Sequence, residues 1–274
     1  VNYRHAFHAG NFADCFKHSL LLWLLGAMRQ KPAGICVLDT HAGAGCYDLT
    51  GDAAARTGEW QGGIGRLRAD PPPVLAAYVD RVREASAYPG SPMLIAALLR
   101  EQDQLICCEK HPGEYQALKR LMRSDPKVSV HHRDAWEALP ALLPPASGLR
   151  RGLVLIDPPY EAADEFARIA TSLANACKRF PNAVYAVWYP IKHRAPLRGF
   201  FDSIRDTGIR DAVAAELHLR APLDPARLNG CGLLVINPPW QFGEAANAIT
   251  DALVTRLADG QAGSGSAMLR IADE

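Results

Sequence analysis

The chain has 274 residues, is 49% hydrophobic, and carries 30 Lys and Arg against 29 Asp and Glu, for a formal net charge of +1. That length supports one large core, and near-neutrality excludes a bulk field announcing a nucleic-acid partner, although basic groups can still gather on one face. No run approaches the roughly 18 uninterrupted apolar residues of a membrane span, the first residues lack a signal-peptide core, and the seven cysteines have no Cys-x-x-Cys spacing, so a cytoplasmic protein with reduced core cysteines and no membrane partner is expected.

The first residues are dense in polar and aromatic groups: Tyr3, Arg4, His5, Phe7, His8, Asn11, Lys17 and His18. Residues 13–28 have the apolar content and length of a helix, with Asn11 or Asp14 as N-cap. Lys17 and His18 interrupt its apolar run. Being adjacent, they cannot both point away from a ligand face, while a buried histidine satisfied by backbone accounts for His18 equally well. No two of His5, His8 and His18 are four apart, as the paired histidines of a helical metal site would be, and the cysteines offer no pair, so no metal is expected.

Strand 35–40 runs into Asp39-Thr40-His41-Ala42-Gly43-Ala44-Gly45, whose two glycines allow backbone to approach a ligand. A pyrophosphate loop would want a small residue at position 48, where Asp48 opposes a diphosphate at a helix start. S-adenosylmethionine carries no phosphate and escapes that objection. Residues 47–101 are too long for one crossover helix and contain Pro71-Pro72-Pro73 and helical patterns at 74–85 and 92–100. They predict an inserted helical subdomain within a single domain spanning residues 1–274, with Ser91 as N-cap before Pro92.

Strand 104–109 ends in Glu109, placed to accept hydrogen bonds from a ribose diol, and strand 128–132 leads to Asp134, placed for the cofactor's adenine amine. Each acid, like Asp39, also fits an ordinary strand-end cap or turn. Strands at 153–157, 183–188, 212–219 and 233–237 complete a set of seven. The continuously apolar ones fit a sheet covered on both faces, so the fold class is α/β, Rossmann-like and mostly parallel. The connection 220–232 is too short for a helical crossover, which makes the last strand antiparallel. Residues 259–267, rich in Gly and Ser, read as a mobile stretch, with 268–271 returning as an edge strand.

Strand 153–157 ends in Asp157-Pro158-Pro159-Tyr160, and amine methylation has a use for each member. An adenine amine is a poor nucleophile because its lone pair is delocalised into the ring. Acceptors for both amine protons, supplied by the Asp157 carboxylate and the Pro158 carbonyl, favour the tetrahedral nitrogen. The prolines end strand pairing and fix the backbone, and Tyr160 can stack on a base. An ordinary proline stop after a core strand is the plainer reading. Asn237-Pro238-Pro239-Trp240 competes with the same local pattern, but an antiparallel strand delivers its carboxyl end to the opposite edge of the sheet, so Asp157 is preferred and Asn237 to Trp240 read as structural.

With these pieces in order, the chain resembles the RlmJ family of 23S ribosomal RNA adenine-N6 methyltransferases. The resemblance rests on Tyr3-Arg4-His5-Ala6-Phe7-His8-Ala9-Gly10-Asn11, Leu38-Asp39-Thr40-His41-Ala42-Gly43-Ala44-Gly45, Tyr88-Pro89-Gly90-Ser91-Pro92, Asp157-Pro158-Pro159-Tyr160, Ala186-Val187-Trp188-Tyr189-Pro190 and Asn237-Pro238-Pro239-Trp240. It implies a class I methyltransferase fold and S-adenosyl-L-methionine as cofactor, contacted by His18, His41, Ser91, Glu109, Asp134 and Ala135, to which the reading of the glycine loop and of the strand end adds Gly43 and Asp157. It further implies catalysis at Asp157, where the chemistry of the tetrapeptide adds Pro158 and Tyr160, contact of Tyr3 with 23S rRNA, and an insertion facing that RNA. Lys17 is read beside Tyr3 and Tyr160 on the RNA side. Ala135 stands where the family often has glycine, a change a backbone contact survives. His41 takes the place of an aromatic ring and is expected to lie against the cofactor. The expected partner is protein-poor or naked rRNA, and the expected state a monomer. A DNA adenine-N6 methyltransferase, a non-catalytic RNA-binding protein on the same fold and a nucleotide-dependent dehydrogenase are the alternatives.

Overall fold

The computed structural model describes residues 4–273. Tyr3 lies outside the described residues. Asn11 caps α1 (Phe12–Arg29), its side chain accepting from the amides of Ala13 and Asp14 at 2.9 and 3.0 Å. After β1 (Cys36–Asp39) the chain runs through β2 (Cys46–Tyr47), α2 (Asp52–Thr57), α3 (Ile64–Leu67), α4 (Ala76–Glu84) and β3 (Tyr88–Pro89) into α5 (Ser91–Ala96). Strands and helices then alternate as β4 (Gln104–Glu109), α6 (Pro112–Met122), β5 (Val128–His132), α7 (Ala135–Leu142), β6 (Gly152–Ile156), α8 (Glu165–Arg179), β7 (Ala183–Ile191) and α9 (Arg194–Asp206). Next come β8 (Ala212–His218), β9 (Gly230–Ile236), α10 (Phe242–Leu257) and β10 (Gly265–Ala272).

Eight strands form one sheet in the order β10-β8-β9-β7-β6-β1-β4-β5. β5, β4, β1, β6 and β7 are mutually parallel, whereas β9 is antiparallel to both β7 and β8, and β10 to β8. This is the α/β, class I methyltransferase arrangement, with the expected edge strand joining the seven others. That edge strand, β10, begins at Gly265, within the stretch read as mobile, because Gly265, Ser266 and Ala267 already pair with β8. Successive residues of a strand face opposite sides, and the core divides accordingly. Val37, Leu153 and Leu155 join the side covered by α1 and α10, while Leu38, Val154 and Ile156 join the side covered by α8 and α9. The chain leaves β1 toward β4 on one side and returns to β6 on the other, so a crevice opens at the carboxyl ends of β1, β4 and β6.

The expected insertion divides. β2 and β3 pair antiparallel, Tyr47 opposite Tyr88, and close the base of an excursion containing α2, α3 and α4. α5 lies after this clip and is the crossover into β4. The excursion has no core of its own, since Ile64, Leu67, Leu75, Tyr78 and Val79 belong to the cluster built around α1 and α10. Ser91 is the first residue of α5, with Gly90 as N-cap, because the Ser91 hydroxyl is engaged elsewhere.

No helix among the described residues is long and apolar enough to cross a membrane.

Candidate active site

A cleft of about 940 Å³ opens at that carboxyl edge. His18, His41, Gly43, Ser91, Glu109, Asp134, Ala135, Asp157, Pro158 and Tyr160 all line it, as does Lys17. The fold thus brings every described candidate residue to one cavity.

Glu109 ends β4 with one oxygen on the glycine loop and the other on the turn that leads into α6. Oε2 accepts from the Gly43 amide at 2.8 Å and Oε1 from the His111 amide at 2.6 Å, leaving lone pairs on each. Burial raises its carboxyl above the ordinary range, against those two hydrogen bonds. Gly43 and Gly45 have φ of +61° and +84°, which glycine adopts at little cost. The structure corrects why they are needed: a Cβ on Gly43 would collide with the Tyr47 hydroxyl, and one on Gly45 would lie 2.7 Å from Leu118 Cδ1. Packing and backbone shape, as much as ligand approach, exclude a side chain. Asp48 also changes meaning, since no helix starts there; its carboxylate accepts from the Thr50 amide at 2.8 Å within a turn.

Asp39 lies beneath the cleft floor with no exposed surface. Its Oδ2 accepts from the Ser91 hydroxyl at 2.6 Å and its Oδ1 from the His41 amide at 3.3 Å. Burial pushes its carboxyl up to about 6, the Asp157 charge adding to the effect and the Ser91 bond opposing it. His41 is bonded at Nδ1 to Thr40 Oγ1 at 2.8 Å and meets the ring of Trp136 edge-on. Burial lowers its imidazole to about 4. Asp134 caps α7, accepting from the Trp136 amide at 2.9 Å, and pairs with Lys110 at 2.8 Å. Burial opposes its ionisation, but Lys110 and the cap hold its carboxyl below the ordinary range. Ala135 follows as the first helical residue, buried against the cleft.

Asp157 leaves the end of β6 and meets Lys17 Nζ at 2.5 Å, while Lys17 also contacts Asp14 Oδ1 at 3.1 Å. Lys17 is thus held between two carboxylates while still lining the cleft. Residues 14 and 17 are three apart on α1 and share the face that abuts the sheet edge. Asp14 is the hub that sequence reasoning left as an alternative cap: its Oδ2 also accepts from the Gly10 amide and meets His5 Nε2, each at 2.9 Å. Burial alone would raise the Asp14 carboxyl, but His5, Lys17 and His18 hold it well below the ordinary range. His18 is buried with Nδ1 at 3.1 Å from the Tyr88 hydroxyl, and burial lowers it to about 3. Its partner is a side chain, so the reading of a histidine satisfied by backbone does not hold.

Tyr160 adopts φ +52°, an uncommon conformation for a bulky residue, costing on the order of 1–3 kcal/mol. Its hydroxyl donates to Trp188 O at 2.6 Å, and Phe166 and Trp188 flank its ring, so it forms a braced wall of the cleft. Trp188 and Pro190 extend this wall, lining residues that sequence reasoning met in a motif and gave no role. Asn237 stands at the other edge of the sheet, its Nδ2 donating to Pro181 O and Ala183 O at 2.9 and 2.7 Å beside the start of β7, and Trp240 is 89% exposed. Among the described residues, no group of three or more His, Cys, Asp or Glu side chains is arranged to hold a metal ion.

Comparison with known proteins agrees with this geometry. The sequence is 38% identical over 275 residues to ribosomal RNA large subunit methyltransferase J of Escherichia coli K12, covering 97% of each chain, and 38% identical to the protein of that name from Haemophilus influenzae, covering 93% of this chain and 94% of the relative. A crystal structure from Legionella pneumophila superposes with a TM-score of 0.85 at 36% identity, covering 96% of this chain and 97% of that one. The family described as ribosomal RNA large subunit methyltransferase D, RlmJ, matches residues 32–269, from before β1 into β10. A match of that extent, on a chain whose cleft gathers the motifs that first suggested it, means that the protein belongs to the RlmJ family.

Proposed function

We propose that this chain transfers a methyl group from S-adenosylmethionine to the exocyclic N6 of an adenine in 23S ribosomal RNA. Family membership supports the coarser part, methylation of large-subunit ribosomal RNA. The observation that carries the finer part is the Asp157–Lys17 pair, a carboxylate fixed by a buried cation in the same cleft as Glu109 and Asp134. The donor set suits this cofactor. Glu109 keeps lone pairs for a ribose diol, Asp134 and the Ala135 backbone border the place for an adenine, and the glycine loop lacks the helix start that a diphosphate would favour. S-adenosylmethionine supplies an electrophilic methyl group on its sulfonium.

The chain's own residues prepare the nucleophile. Asp157 and the Pro158 carbonyl accept the two N–H groups of the amine and draw its lone pair out of the ring plane. Lys17 holds the Asp157 carboxylate in one orientation, so little reorganisation accompanies reaction. Tyr160 offers a braced aromatic surface for the base, and the amine proton leaves to Asp157 or to water. The reading includes a monomer acting on protein-poor RNA without a metal, so activity should survive exhaustive chelation. Incubation with labelled cofactor and separate pools of rRNA, tRNA, DNA and protein, followed by nucleoside analysis, tests it. Label is expected as N6-methyladenosine from 23S rRNA; label confined to DNA or protein overturns the substrate assignment.

A further inference from the structure

Past Trp188 and Pro190, the cleft continues along the connection between β8 and β9. Lys192, just beyond β7, and Arg220 and Arg227 on this connection line it. None of the three makes an ion pair among the described residues. Arg220 is held by neutral groups, its Nε donating to Gln261 Oε1 at 2.7 Å and a terminal nitrogen to Leu228 O at 3.2 Å. Burial, and then repulsion from Arg227, lower its guanidinium below the ordinary range. Asp259, an acid on this arm, is already engaged by Arg66.

The loop that carries these cations is cross-braced. Asn229 has no exposed surface and donates its Nδ2 to Lys192 O at 2.8 Å and to Asp224 O at 2.7 Å. Its amide donates to Ile191 O, its carbonyl accepts from the Leu219 and Arg220 amides, and Ala221 N donates to Ala262 O at 3.0 Å. The backbone at Lys192 and Arg220 is therefore set before any ligand arrives, and the Arg227 amide donates to Asp224 O at 3.3 Å beside the same brace. Positive groups collected in a concave wall without acid partners favour an anion. A guanidinium fork and an ammonium both suit phosphate oxygens.

We infer that Lys192, Arg220 and Arg227 form a platform for the RNA phosphates that flank the methylated adenine. This rests on the reading of the cleft as an RNA methylation site. A base drawn into the pocket leaves its neighbouring phosphates at the rim, where backbone contacts fix register without reading sequence.

The test uses the full chain and a 23S rRNA transcript. Lys192→Gln with Arg227→Gln removes two exposed cations and leaves the braced Arg220 in place. Lys178→Gln with Arg198→Gln, exposed and off the cleft, removes the same charge. RNA affinity across a salt series, S-adenosylmethionine affinity and the transfer rate at saturating RNA are measured for each. The platform variant should bind RNA about tenfold more weakly near 0.15 M salt, with a salt slope shallower by about 1.5, as for two lost phosphate contacts. Cofactor affinity and saturated rate should match wild type, and the control should lose far less RNA affinity. Equal RNA binding by the two double variants, with wild-type methylation intact, overturns the platform alone. Absence of 23S rRNA methylation by wild type overturns the RNA reading and the platform with it.

Discussion

Lys17 sits between two carboxylates, 2.5 Å from Asp157 and 3.1 Å from Asp14, and removing it leaves both without their shared cation. Lys17→Met is expected to slow methyl transfer roughly 10- to 100-fold through a loosened Asp157. It should also destabilise the fold by about 3 kcal/mol, because the buried Asp14 loses a partner. Single-turnover kinetics and urea unfolding check the two effects separately. Asp39 carries a pH signature. Its carboxyl titrates at about 6 in the folded chain against an ordinary 3.8, so the folded state holds an extra proton between those values. The resulting penalty is absent below about pH 4, grows up to about pH 6, and stays near its full size, on the order of 3 kcal/mol, at neutral pH. Asp39→Asn keeps groups able to bond Ser91 and the His41 amide, and should unfold at higher urea than wild type at pH 7, with the advantage vanishing at pH 4. An unchanged pH profile would count against a buried, high-titrating Asp39. Asp157 and Glu109 were legible in the sequence because each ends an apolar strand in a motif with a chemical use. The Lys17–Asp157 pair was not, since its partners are 140 residues apart and only the docking of α1 on the sheet edge joins them.

The glycine loop shows how an element combines constraints. Gly43 donates its amide to Glu109, turns the chain at φ +61° and leaves room for the Tyr47 hydroxyl. Gly43→Ala should destabilise by roughly 2–4 kcal/mol from the left-handed conformation and the crowded Cβ. It should also weaken S-adenosylmethionine binding by displacing Glu109, which calorimetry reads directly. The glycine pattern was visible in the sequence, but its packing partner was not: Tyr47 belongs to the β2 and β3 clip, two strands too short to give a periodic signal. The same clip explains the limits of the expected insertion. A long helical connection was evident from its length and prolines, whereas the assignment of α5 to the crossover depends on the pairing of Tyr47 with Tyr88.

Across the whole molecule, strand direction separates two motifs that are alike locally. The seven expected strands and the reversal of β9 followed from apolar runs and one short connection, and the reversal puts Asn237 across the sheet from Asp157. The edge strand at 268–271 was legible as well, but its start at Gly265 was not, because those first residues lie in a segment rich in Gly and Ser whose strand character comes from pairing with β8. Asn237→Ala removes two hydrogen bonds to the backbone that leads into β7, and should cost about 1–3 kcal/mol of stability while leaving the transfer rate near wild type. The complementary substitution is the most direct measurement of the account: the single-turnover rate of methyl transfer to 23S rRNA by Asp157→Ala, with S-adenosylmethionine affinity measured alongside. The rate should fall at least about 100-fold with cofactor still bound, as expected for loss of an amine acceptor. A wild-type rate with cofactor bound would contradict Asp157 as the group that prepares the amine.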